Sequence, residues 1–143
     1  MRDMTNRVLL VIIAGGNAVV GLWASFAPRS FYDTFPGGGH AWVAADGPYN
    51  QHLVRDVGTL NLALMAVAIA VLVRPSRYLL QVVCGAVLIY AAPHLLYHVT
   101  HLGPYDSSDK VALIGSLSVS VVAPIVLLVR SSQTPDEAIT KVA

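Results

Sequence analysis

Three histidines near the end of one apolar run have the spacing of metal ligands. His94, His98 and His101 form a His-x3-His-x2-His pattern. At 100° per residue they fall within about 60° of one another, on one face of a helix. Two histidines at positions i and i+4 can chelate one ion, and imidazole suits zinc, copper, iron and nickel. The pattern therefore predicts a transition-metal site on this helix.

A second apolar run begins with residues that could complete the site. His52 and Asp56 are four residues apart, and only Arg74-Pro75-Ser76-Arg77 separates the two runs. So short a link forces an antiparallel hairpin, which places the start of one helix beside the end of the other. A carboxylate ligand shifts the metal preference from Cu(I) toward zinc, iron or Cu(II). The expected ligands are His52, Asp56, His94, His98 and His101, with His40 as a further ligand and Arg55 and Tyr97 beside them.

Three alternatives stay open for the same residues. The first is a haem b electron-transfer protein, in which His52 and a histidine of the third helix hold the iron. The second is a metal-dependent enzyme acting on a lipid or quinone, which needs an open coordination position. The third is an accessory or scaffold subunit whose polar cluster only docks a loop. Leu95, Leu96 and Tyr97 stand where the helical metalloprotease motif has its glutamate base, so no catalytic residue is assigned.

The amino-acid composition indicates that these residues belong to a membrane protein. Of 143 residues, 55% are hydrophobic and 12% are charged, and the mean hydropathy is +0.63. Soluble domains carry about 25% charged residues, so this chain cannot cover a water-facing surface and needs lipid as its solvent. The net charge of +1 is uninformative about nucleic acid, but the sequence has no basic stripe to follow a phosphate backbone, so no nucleic-acid partner is expected. The single cysteine, Cys84, excludes a disulfide framework within one chain.

Four apolar runs are long enough to cross a bilayer, which takes about 20 residues each. They predict an all-α integral membrane four-helix bundle and a single domain, residues 1–143, with a cytoplasmic tail at 130–143. The segment from Pro28 to Gln51 is long and rich in aromatic residues, which is typical of a functional loop or of a cap on the bundle. The predicted helices are residues 8–27, 52–73, 78–102 and 111–129.

The distribution of basic residues predicts the orientation. Basic residues favour the cytoplasmic side of membrane proteins, so both termini are expected there and the histidines on the outer side. We expect a multi-pass protein of a bacterial cytoplasmic (inner) membrane, within a homo-oligomer or larger complex that Gly15-Gly16 could mediate. The expected inner side holds Arg2, Arg7, Arg74, Arg77, Arg130 and Lys141, and the outer side holds Arg29 and Lys110.

One short stretch resembles a known group of proteins. Asn50-Gln51-His52-Leu53-Val54-Arg55-Asp56-Val57-Gly58 leads into an Ala/Leu-rich helix. In this it is similar to small four-helix bacterial membrane proteins of the DoxX-like and DUF4345-like kind. The resemblance implies the four-helix membrane fold and carries no catalytic residues.

Overall fold

The computed structural model describes residues 4–132, which form six helices and no strand. Four of these helices are long and apolar enough to cross a membrane, which confirms the four predicted runs. The two short helices lie between the first and second long ones. The helices are α1 (Met4–Phe26), α2 (Pro28–Thr34), α3 (Trp42–Asp46), α4 (Gln51–Val73), α5 (Arg77–Thr100) and α6 (Ser107–Ser132).

Capping residues set where the long helices begin. The Asn50 side chain accepts a hydrogen bond from the backbone N–H of Leu53 (3.1 Å) and caps α4. Asp106 does the same for the N–H of Asp109 (2.8 Å), so α6 starts four residues before its predicted first residue. Such caps satisfy backbone donors that the first helical turn leaves unpaired. At its other end α6 continues to Ser132, so the predicted tail begins inside the helix, and its residues 133–143 lie outside the described range.

Two helix pairs make up the bundle. α1 packs along α4 and α5 along α6, while smaller contacts join α4 to α5 and α6 to α1. Glycine permits the closest approach, because a Cβ atom built on Gly58 would lie only 2.6 Å from the backbone nitrogen of Ser25. Small residues commonly let membrane helices pack at backbone distance in this way. The shared core is apolar, with Leu10, Ala68, Val83 and Leu127 among its buried members.

The chain between α1 and α4 packs against one end of the bundle. We call residues 27–50, which include α2 and α3, the cap, and the end of the bundle that it covers the histidine end. Phe31 packs against Ala24 of α1 and Val54 of α4. Trp42 packs against Tyr105 and against Leu113 of α6. The aromatic residues of this segment therefore join the cap to α1, α4 and α6.

Candidate functional site at the histidine end

His94 and His98 form a pair of imidazoles on α5. One helical turn separates them, and their ring centres lie 4.8 Å apart with the planes at 79°. Tyr90 stacks on His94 at 5.5 Å. His98 is only 7% exposed, and within residues 4–132 its buried Nδ1 has no hydrogen-bond partner. Buried polar atoms are nearly always partnered, so this nitrogen is unusual, as is Nε1 of Trp42 at the same end of the bundle.

His101 has a different environment from that pair. Its ring stacks on Tyr97 at 4.2 Å, with the planes 9° apart. Its Nδ1 lies 2.9 Å from the Tyr97 carbonyl oxygen and 3.0 Å from the Thr100 hydroxyl. His101 directly follows α5 and is its C-cap residue, so these contacts lie at the C-terminal end of the helix. One nitrogen of His101 is thus already engaged by its own helix.

His52 and Asp56 also form a pair, on α4. His52 Nε2 lies 3.2 Å from an Asp56 carboxylate oxygen. Their side chains are 88% and 57% exposed, and Arg55 is exposed beside them. α4 buries its other face against α1, which is the face that carries Val54, Gly58 and Asn61. The pair therefore lies on the outer surface of the bundle.

The predicted ligands occupy separate positions at the histidine end. Within residues 4–132, no three His, Cys, Asp or Glu side chains are close enough together to hold a metal ion. The structure pairs His52 with Asp56 and His94 with His98. It places His40 against Asp109, with 2.6 Å between Nδ1 and Oδ1. Whether a metal binds these residues stays a prediction.

Asp46 is the residue at this end that the sequence pattern did not reveal. It lies at the end of α3, and its carboxylate accepts a hydrogen bond from the Tyr97 hydroxyl (3.5 Å). The position of Asp46 depends on how the cap folds back, which no helical period encodes.

Tyr105 connects the cap to the α5 histidines. Its ring centre lies 6.1 Å from that of His98, and its hydroxyl donates to the Trp42 carbonyl (3.2 Å). Burial raises the pKa of Tyr105 to about 12, and the negative charges of Asp46 and Asp109 add to this. The phenol therefore stays protonated at physiological pH and remains a donor.

Asp106, which directly precedes α6, is held in its ionised form, whereas Tyr105 is held in its protonated form. The hydrogen bond from the Asp109 N–H is the main cause that lowers the pKa of Asp106, and the Ser108 hydroxyl bond (2.8 Å) adds to it. The nearby imidazole of His40 acts in the same direction. The carboxylate is thus held as an anion by the groups that it caps.

One small cavity lies at the other end of the bundle. Its lining residues come from the start of α1, the end of α4 and the turn that follows: Asn6, Arg7, Leu10, Leu72 and Pro75. The enzyme alternative requires a lipid-accessible cavity beside the histidines, and this cavity does not supply it.

Comparison with known proteins found no matching family model, no similar curated protein and no similar solved structure. The resemblance of residues 50–58 to the DoxX-like and DUF4345-like groups therefore stays a prediction.

Proposed function

We propose that this protein is a multi-pass membrane protein that binds a transition-metal ion through His94 and His98. The observation that carries the proposal is the buried Nδ1 of His98, which lacks a partner within the described residues and sits one turn from a second imidazole. Leaving a buried acceptor or donor unsatisfied costs about 1–3 kcal/mol. A metal ion would remove this penalty.

The chemistry of the pair suits such an ion. Neutral imidazole is the commonest metal ligand in proteins and accepts zinc, copper, iron or nickel. No third protein ligand is in place within residues 4–132, so we expect water or another small molecule to fill the remaining positions. Two protein ligands also imply weaker binding than a structural four-ligand site. The metal would supply a Lewis acid or a redox centre.

The side of the membrane on which this site lies follows from charge. More basic residues flank the ends of the long helices away from the histidines, and basic loops favour the cytoplasm. Both termini are therefore assigned to the cytoplasm. The histidine end and its aromatic cap then face outward, at the outer surface of a cytoplasmic membrane. Cysteine labelling from outside the cell would test this assignment at an exposed position of the cap such as Ala45.

Metal analysis of the purified protein tests the proposal. Wild type is loaded with Zn²⁺, Cu²⁺ or Fe²⁺ and desalted, and bound metal is measured by mass spectrometry. We expect about one ion per chain, lost in His94→Ala and His98→Ala. His52→Ala is the matched control, because it removes an exposed imidazole on another helix. A metal-free wild type would overturn the proposal. Loss of metal from His52→Ala would instead support the larger ligand set predicted from the sequence.

The accessory-subunit alternative is favoured by a separate observation. Three contacts dock the cap onto α5, α6 and the turn between them without any ion: His40 with Asp109, Asp46 with Tyr97, and Trp42 with Tyr105. In that function the histidine end is a docking surface. It predicts that His94→Ala and His98→Ala lower the unfolding temperature while wild type binds no metal. A purified protein without a Soret band would remove the haem alternative in the same preparation.

A further inference from the structure

The face of α4 that points away from the bundle carries polar side chains where it would meet lipid. His52, Asp56 and Thr59 are exposed at its first turns, with Arg55 at their edge. Ionisable residues in membrane segments almost always face the interior of a bundle or a cavity. These residues face outward from a single chain, so the chain by itself does not give them the surroundings that such residues normally have.

The same face continues as a line of small residues. Spacings of four and three residues alternate along the whole helix, which is the heptad spacing of helices that cross at a small angle. Every member of this line is exposed, and we call it the α4 strip. Its members are His52, Asp56, Thr59, Ala63, Ala66, Ala70 and Val73.

Bulky side chains border the strip. Leu53, Leu60 and Ile69 are exposed beside it, while alanines occupy its centre. Small residues at the centre allow two helix backbones to approach closely, which is how membrane helices associate. The large residues on either side would then pack around the contact. Polar and small residues at the centre, with large apolar ones at the margin, indicate that another helix covers this face.

Charge indicates what that helix is. The first turns of the strip hold a cation, Arg55, directly beside an anion, Asp56. Such a surface is complementary to itself. Two copies in one membrane share the same orientation, so their α4 helices run parallel about a two-fold axis along the membrane normal. In a two-fold contact the same residue pair occurs twice, so Arg55 of each copy can meet Asp56 of the other.

We infer that α4 is the contact helix of a homodimer in which the α4 strip meets the same strip of a second copy. Close approach occurs at Ala63, Ala66 and Ala70. The Arg55–Asp56 pairs between copies neutralise the charges at the level of the first turns. This surface is separate from the His94–His98 pair, so dimerisation does not depend on metal binding.

Cysteine cross-linking in native membranes tests the interface. Cys84 is buried and is the only cysteine of the chain, so Cys84→Ala provides the background. Single cysteines are then introduced as Ala66→Cys in the strip, Val122→Cys on the exposed face of α6, and Gly16→Cys on α1. With an oxidant that enters the bilayer, we expect a covalent dimer from Ala66→Cys alone. Cross-linking at Val122 or Gly16 that equals or exceeds that at Ala66 would overturn the inference.

A second test keeps Cys84 and introduces no cysteine. Ala66→Leu inserts a large side chain where the backbones meet, whereas Val122→Leu places the same side chain on the exposed face of α6. By light scattering of the detergent-solubilised protein, we expect Ala66→Leu to weaken the dimer at least tenfold and Val122→Leu to leave it unchanged. Arg55→Asp should also weaken it, and the added Asp56→Arg should restore it. A monomeric wild type, or an Ala66→Leu protein that dimerises as wild type does, would overturn the inference.

Discussion

The Nδ1 atom of His40 lies 2.6 Å from Oδ1 of Asp109. This contact joins the cap to the first turn of α6. His40 directly follows three glycines whose φ angles are +100°, +66° and +89°. Side-chain-bearing residues rarely adopt such values, so the glycines allow the turn that brings His40 to α6. The contact therefore joins the glycine turn before His40 to the start of α6, two segments that no sequence pattern connects.

Replacing His40 with alanine should loosen the cap. The expected cost is about 1 kcal/mol or less, because His40 is partly exposed to solvent. Trp42, two residues away, is buried, and its fluorescence reports the docking of the cap. In a Trp23→Phe background, we expect His40→Ala to raise acrylamide quenching of Trp42. His52→Ala should leave quenching unchanged, and equal effects of the two variants would contradict a docking role for His40.

The sequence predicted the four long helices because hydropathy alone requires them. The helical period also predicted that His94 and His98 lie next to each other, as they do, whereas His101, predicted on the same face, lies beyond the end of α5 and contacts Tyr97 instead. The sequence could not predict which face turns inward. On α4 the buried face is the one with Gly58, which packs against the α1 backbone, so His52 and Asp56 on the other side remain exposed. Close backbone packing decided the rotation of this helix.

The partners of the cap were beyond sequence reasoning for a different reason. Asp46 and Asp109 lie outside the apolar periodic segments, and each meets its partner across a long stretch of chain. Such contacts depend on how the two short helices of the cap are oriented. Local patterns carry no information about that orientation.

Tyr105 should make stability depend on pH in the alkaline range. Its pKa is raised to about 12 by burial, above the ordinary value near 10. The stability that it contributes is therefore complete below about pH 10 and is lost as the pH rises through about 12. We expect the unfolding temperature of wild type to fall across this range more steeply than that of Tyr105→Phe.

The phenylalanine variant also removes the hydrogen bond to the Trp42 carbonyl. At neutral pH this should cost about 1 kcal/mol. Tyr78→Phe serves as the control, because Tyr78 is exposed. Tyrosinate absorbance at 295 nm should show one group that titrates later than the others. Its persistence in Tyr105→Phe would show that a different tyrosine is responsible.

Asp106 should make stability depend on pH in the acid range. Its pKa is lowered by the hydrogen bonds that cap α6, so the carboxylate stabilises the folded state above its ordinary pKa of about 4. This contribution is lost as the pH falls through the lower pKa of the folded state. Asp106→Asn keeps an oxygen acceptor but cannot ionise. We expect thermal unfolding in detergent to show a smaller acid-induced loss for Asp106→Asn than for wild type, and identical profiles would exclude Asp106 as the source.

Gly58 should be intolerant of even one added methyl group. The Cβ atom of Gly58→Ala would lie 2.6 Å from both the backbone nitrogen and the Oγ of Ser25, so α1 and α4 would have to separate. Overpacking of this kind typically costs about 1–3 kcal/mol. Gly85→Ala on α5 is the matched control, because nothing lies within 4 Å of its added Cβ. We expect thermal unfolding in detergent to show a clear loss for Gly58→Ala and none for Gly85→Ala. Since α4 also carries Val54, against which Phe31 of the cap packs, a shift of this helix should alter cap docking, and in the Trp23→Phe background acrylamide quenching of Trp42 should rise in Gly58→Ala alone.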